Sequence, residues 1–363
     1  MQEELQNGGE PNDSTLYSSS FPSSTNHKLQ SFIEEEEENM RLVKFGKLLS
    51  GPTTDLCQLR KFSWNGIPNE LRGKTWRLLS GYLPVSIDRR QSTLQQKRSQ
   101  YHSFVNQYYP TRFEDIHEET FRQIHVDIPR TNPLIPFFQQ DVVIQLFERV
   151  LYIWAIRHPA SGYVQGINDL VVPFFIVFLS EFIDTDVKDH DIAKMPKLFL
   201  DIVEADTFWC FSRLLDGIQN NYTFAQPGIQ MKVNRLKDLM SRIDSPLHDH
   251  LDTHKIDYLF FAFRWMNNLL MRELPLNICI RLWDTYWSEM DGFASFHLYV
   301  CAALLKRFSE DILKQTDFQS LMTFLQNLPC SDFTDDDVSR LLSEAYQLKF
   351  MFADAPGHLS PKK

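Results

Sequence analysis

The stretch DVVIQLFERVLYIWAI (141–156), followed after a short break by NDLVVPFFIVFL (168–179), decides the fold. In the first piece Val143, Leu146, Phe147, Val150, Leu151 and Trp154 recur at intervals of three and four, the period of an amphipathic helix. Pro159 and Gly162 then break the chain, and the spacing predicts a new helix near Asn168 or Asp169, either of which can cap it. Residues 170–179 are apolar throughout and include Pro173. A membrane span needs about 20 residues, so this run reads as a core helix.

The same period extends in both directions. Upstream, Leu42, Phe45, Leu48 and Leu49 share a face that stops at Gly51-Pro52, and the pattern recurs briefly at 56–62. Trp64-Asn-Gly-Ile-Pro68 reads as a turn. Leu71, Thr75, Leu78, Leu79 and Tyr82 then line a helix that Pro84 closes. A basic helix carrying Arg89, Arg90, Lys97 and Arg98 follows to Tyr109-Pro110, its charges read as a solvated face. Pro129, Pro133 and Pro136 make 120–137 a loop. Past Ser180, the acidic 184–191 reads as loop. Helical patterns follow at about 196–217, 229–243, 255–272, 275–289, 293–308, 317–327 and 335–350, the last capped by Thr334. No alternating strand pattern and no fixed-period repeat emerges. The expectation is an all-α globule.

Composition narrows the function classes. Of 363 residues, 43% are hydrophobic and 29 are phenylalanine, enough for a large aromatic core. The 13 glycines are too few for turn-dense β architectures. With 47 acidic against 37 basic residues, no basic footprint for nucleic acid or polybasic membrane anchor is present. The cysteines, Cys57, Cys210, Cys279, Cys301 and Cys330, are scattered without a Cys-x-x-Cys pair and read as reduced, mostly buried thiols. The N-terminus lacks the pattern of a signal peptide. His250 and His254 lie four apart, but with Asp249 and Asp252 beside them salt bridging is the better reading than metal. Trp154, Trp265, Trp283 and Trp287 read as core aromatics, and Ser161-Gly162-Tyr163 forms no nucleophile elbow.

Two short phrases carry the chemistry, Ile-His-Val-Asp-Ile-Pro-Arg-Thr (124–131) and Tyr-Val-Gln-Gly-Ile-Asn-Asp (163–169). They place Arg130 and Gln165 in two loops. An arginine neutralises charge spreading over a transferring phosphoryl group, and a glutamine aims the attacking water. Pro129 restricts the backbone before Arg130, and Asp127 can pair with it. Gly166 permits close approach of a backbone, and the Gln165 amide offers a donor and an acceptor. The chain has no phosphate-binding loop of its own, so such a pair would serve a nucleotide held by another protein.

Taken together, Gly66-Ile-Pro-x-x-x-Arg72-x-x-x-Trp76, Ile124-x-x-Asp127-x-x-Arg130 and Tyr163-x-Gln165-Gly166 resemble the motifs of the TBC-domain Rab GTPase-activating proteins. Phe263-Arg-Trp-Met-x-x-Leu-x-Met-Arg-Glu-Leu and Arg281-Leu-Trp-Asp284 fit the family's C-terminal half, and the phrases SWNGIP (63–68), LLSGYLP (78–84), DRR (88–90) and IWAIRHPASGYVQGINDLVVPFF (153–175) are most like its Golgi-associated subgroup. The resemblance implies a two-lobed all-helical TBC domain that bears on a GTP-loaded Rab GTPase. Arg130 would be the arginine finger and Gln165 the glutamine finger, both acting in trans. Asp127 would support the arginine loop, with Tyr163, Gly166, Asn168 and Asp169 shaping the glutamine loop and Arg72 and Trp76 in a structural role. It implies an activator rather than a hydrolase, with no cofactor or metal beyond the GTP and Mg²⁺ of the partner. A non-catalytic Rab-binding scaffold is the alternative. No nucleic acid or membrane insertion is implied, and the expected location is cytoplasmic, peripheral at Golgi membranes.

The expected organisation is a disordered polar and acidic tail (1–40), a helical lead-in (41–63), the TBC domain (64–310), C-terminal helices packing on it (311–350) and a flexible end (351–363).

Overall fold

Residues 23–50 hold no proline and, before Ser50, only Gly46 as a breaker, so one helix, α1, runs Ser23–Ser50. It starts well before the Arg41 expected from apolar spacing, because a glutamate run sustains a helix without burying anything. The computed structural model describes residues 23–183, 187 and 190–353, side chains from 36 onward. Residues 1–22 of the expected tail, 354–363 of the expected end and most of the acidic 184–191 loop lie outside these.

After α1 come α2 (Leu56–Ser63), α3 (Asn69–Leu79), α4 (Ile87–Tyr108), α5 (Asp115–Asp127), α6 (Asp141–Arg157), α7 (Ile167–Leu179) and α8 (Lys197–Gly217). The second half holds α9 (Pro227–Ile243), α10 (Ser245–Thr253), α11 (Leu259–Asn268), α12 (Leu276–Ser288), α13 (His297–Arg307), α14 (Ser309–Leu313), α15 (Phe318–Gln326) and α16 (Asp335–Phe352). Among the described residues the only β feature is an isolated bridge between Thr53 and Ser86. The fold is all-α.

Two units are distinguished, Met1–Lys44 and Phe45–Lys363. In the first, the described residues belong to α1, where Arg41 Nη1 donates to Glu38 Oε2 at 3.0 Å. The second is built around α7, buried at nearly every position as an all-round apolar helix must be. It packs against α3, α6, α8, α11 and α12. Trp76 of α3, Phe174 of α7 and Trp283 of α12 meet with ring centroids 5.5–6.3 Å apart. Trp154, Trp265, Trp283 and Trp287 are all buried, as are all the cysteines but Cys57.

Residues 120–127 are helical within α5, because the first proline of the 120–137 segment is Pro129 and nothing before it stops the helix. The expected 255–272 helix is shorter and is preceded by α10; α11 ends where Leu269 and Leu270 adopt φ of 52° and 64°.

The charges of α4 are not a solvated face. Arg98 forms a two-pronged ion pair with buried Asp206, which also receives Arg77 and the Tyr82 hydroxyl. Arg90 is buried against the carbonyls of Leu49 and Val85, Lys97 lies over the Trp209 ring, and Arg89 alone is exposed. Burial opposes ionisation of Asp206, but Arg77 and Arg98 outweigh it and hold the carboxyl below its usual range.

Candidate functional site

Helix α5 ends at Asp127, and a single 3₁₀ turn, Ile128–Arg130, carries the chain out of it. Pro129 supplies the fixed φ of that turn. Ile128 and Thr131 are buried, so Arg130 projects from a seated base with its side chain 65% exposed. Its guanidinium lies 3.7 Å from Asp127 Oδ1. Asn132 just beyond has φ of 44°, and the turn it starts leaves Leu134 exposed.

Gln165 is exposed as well, on the loop between α6 and α7. Its side-chain amide points at the same carboxylate oxygen, Nε2 to Asp127 Oδ1 at 3.5 Å. The Tyr163 hydroxyl donates to Asp127 Oδ2 at 2.9 Å. Asp127 thus receives both loops through one nearly buried carboxylate. Burial, then the Asp127 charge and hydrogen bond, push the Tyr163 phenol far above its ordinary value and keep it a donor.

The start of α7 differs from the expected cap. Gly166 occupies the N-cap position at φ 103°, and the Asn168 carboxamide oxygen accepts from the Gly166 N–H at 3.0 Å. Asn168 Nδ2 in turn donates to Thr131 Oγ1 at 2.8 Å, tying the glutamine loop to the arginine loop. Asp169 faces inward and accepts from Asn268 Nδ2 and from Arg272 Nε, the latter at 2.6 Å. Burial pushes the Asp169 carboxyl up against the pull of Arg272. Among the expected supporting residues, Asp127, Tyr163, Gly166, Asn168 and Asp169 therefore form one connected network with the two finger candidates.

Arg72 and Trp76 belong to a separate brace. Both donate to the buried Asp284 carboxylate of α12, Arg72 Nε at 3.1 Å and Trp76 Nε1 at 2.7 Å, and the Ile67 N–H joins them at 2.9 Å. The Trp76 ring packs on Phe174 of α7, so this brace supports the helix that begins at the glutamine loop.

Asn267 and Asn268 escape sequence reasoning, and Arg272 figures there only within the Phe263–Leu274 phrase, without a role. Asn267 Nδ2 donates to the Gln165 carbonyl at 3.0 Å and Asn268 Nδ2 to the Gly166 carbonyl at 3.3 Å. A side chain at position 166 has no room, since its Cβ would meet Asn267 Nδ2 at 2.2 Å. The available signal is the asparagine pair that closes the largely apolar α11, and the structure buries both members. His250 and His254, by contrast, bond the carbonyls of Gln315 and Thr316 rather than Asp249 or Asp252.

Comparison with known proteins identifies the family. The chain is similar to TBC1 domain family member 22B of Homo sapiens, 61% identical over 321 residues that cover 88% of this chain and 64% of the relative. It is similar to the GTPase-activating protein gyp1 of Schizosaccharomyces pombe, 48% identical over 334 residues, 90% of this chain and 65% of the relative. The chain thus spans a little under two thirds of the length of these curated relatives. Among solved structures, the Ypt/Rab-GAP domain of Gyp1p superposes with a TM-score of 0.82 at 44% identity, covering 87% of this chain and 99% of that one. Residues 69–313 match the family description Rab-GTPase-TBC domain, and the chain belongs to that family.

Proposed function

We propose that the protein accelerates GTP hydrolysis on a Rab-family GTPase in its GTP form, with Arg130 and Gln165 entering the partner's nucleotide site in trans. The observation that carries this reading is the Asp127 carboxylate, which gathers the arginine and the glutamine from loops 35 residues apart onto one exposed face. In the partner, the planar guanidinium bridges phosphate oxygens as charge spreads over them, and the Gln165 amide accepts from and donates to the attacking water. An arginine finger supplies roughly 10³ to 10⁵ in rate, about 4 to 7 kcal/mol of transition-state stabilisation. GTP and Mg²⁺ belong to the GTPase, so the chain acts as an activator whose own residues supply positioned charge and a positioned amide. Regulation of vesicle traffic from the cytoplasmic side of Golgi membranes is the setting this reading assigns, supported by the likeness of its motifs to that subgroup.

Single-turnover hydrolysis over a panel of GTP-loaded Rab GTPases tests it. Wild type should stimulate at least one of them, Arg130→Ala should lose about 10³-fold or more, and Gln165→Ala should fall by about 10²-fold or more. Equal stimulation by wild type and Arg130→Ala on every GTPase would reject the arginine assignment and leave a binding scaffold.

A further inference from the structure

The loop between α8 and α9 holds the most exposed large apolar side chain among the described residues. Phe224 is 97% exposed, yet two residues earlier Tyr222 is completely buried. The turn that presents the ring is fixed: the Gln226 N–H donates to the Thr223 carbonyl at 2.8 Å, and Gln226 Nε2 donates to the Asn221 carbonyl at 3.2 Å. Ala225 and Gln226 both sit in the left-handed region, at φ of 62° and 49°. Two consecutive non-glycine residues there are strained, and strain of this kind persists only where the surroundings impose it.

The same turn is fastened to the finger site. The Tyr222 hydroxyl donates to the Asn267 carbonyl at 2.8 Å, and the Asn267 side chain donates to the Gln165 carbonyl at 3.0 Å. One residue therefore holds the Phe224 turn by its backbone and the glutamine loop by its side chain. His158, on the α6–α7 loop, also lies 3.9 Å from Asp216 at the end of α8. The α6–α7 loop, the α8–α9 loop and the end of α11 thus gather at one end of the helices. Whatever partner receives Gln165 must come down on that end.

We propose that Phe224 is a recognition anchor for the partner GTPase, inserting into an apolar patch beside that partner's nucleotide site. The proposal rests on the part of that reading by which a Rab-family GTPase docks on the face that carries Arg130 and Gln165. A fully presented aromatic ring on a hydrogen-bonded turn is the kind of side chain that dominates interface energetics. It touches neither phosphate nor water, so its contribution is to binding and to the choice of GTPase rather than to the chemical step.

The test separates binding from turnover in the full chain. GTPase kinetics give KM and the saturated rate, and binding to Rab GTPases loaded with a non-hydrolysable GTP analogue gives Kd. Phe224→Ala is expected to raise KM and Kd by about 10-fold or more while the saturated rate stays within about two-fold. Phe224→Leu should recover most of the loss and Phe224→Asp should deepen it, with melting temperatures unchanged. If wild type accelerates hydrolysis and the Ala and Asp variants match it in KM and Kd, this inference falls and the fingers stand. If wild type binds GTPases in a Phe224-dependent way yet accelerates none, the finger reading falls and this inference stands. If wild type neither binds nor accelerates any Rab GTPase, both fall.

Discussion

The side-chain amide of Asn267 donates to the Gln165 carbonyl at 3.0 Å, across 102 residues of chain, so the glutamine loop is held from behind by the end of α11. Replacing Asn267 with alanine removes that hold and leaves the exposed Gln165 side chain itself intact. In the proposed activity the saturated hydrolysis rate should fall by about 10- to 100-fold, because a positioned group loses its effect when its mount loosens. Stability should drop by about 1 to 2 kcal/mol for the lost buried hydrogen bonds. Single-turnover kinetics alongside denaturant unfolding check this; an unchanged rate would separate Asn267 from the site.

Gly166→Ala should be worse than its size suggests. The position has φ of 103°, where a Cβ is strained, and the added carbon would meet Asn267 Nδ2 at 2.2 Å. Backbone strain alone amounts to about 1 to 2 kcal/mol, and the clash must also push Asn267 off the loop. The expected outcome is a lowered melting temperature together with loss of GTPase stimulation. Retention of both would show that the α7 entry relaxes freely.

Asp206→Asn should damage the fold without touching the finger loops. Its carboxylate balances Arg77 and Arg98, and neutralising it leaves two partly or fully buried guanidinium groups short of charge. Loss of one partner of a buried pair destabilises by about 3 to 5 kcal/mol. Urea unfolding measures it; a change below about 1 kcal/mol would mean that Glu181 suffices for Arg77 and solvent for Arg98.

Stability should fall on mild acidification because of His297. The ring is fully buried: Nε2 lies 3.0 Å from the Trp265 carbonyl and Nδ1 lies 2.8 Å from the Tyr286 hydroxyl. Burial, then the nearby Lys232 charge, lower it to about 3. Below an unfolded value of about 6.5 the unfolded chain takes up a proton that the folded chain refuses. The contribution is therefore complete above that value and is lost as pH falls towards 3. From pH 7 to pH 5 it amounts to about 2 kcal/mol. Unfolding free energy against pH should show the slope, and His297→Gln should flatten it.

These predictions divide sharply between what one-dimensional pattern could show and what it could not. The helices of the core were legible because Val143, Leu146, Phe147 and their successors repeat at 3.6 residues, a purely local signal. The two phrases of the candidate site, 124–131 and 163–169, stand out in the sequence because unusual residue types are concentrated within a few positions. Contacts across long chain separations were not legible. The α4 arginines look like a wet surface until Asp206 is folded beneath them, and Asn267 and Asn268 look like interruptions of an apolar helix until the Gln165 loop arrives. Prolines misled in the other direction: Pro129 limits a helix only from its own position onward, so α5 could form right up to Asp127.

Asp127 holds one further consequence. Its carboxylate engages both Arg130 and Gln165, so any phosphate that takes them must compete with an anion already in place. In the proposed activity, a triphosphate presents a denser negative charge, which competes for both side chains at once. Departure of the arginine would leave the shared oxygen without its cation and so a stronger acceptor for the amide, and the two side chains would be released on separate terms. Asp127 then behaves as a holster with two catches, one that yields to phosphate charge and one that yields only when the amide finds a better partner.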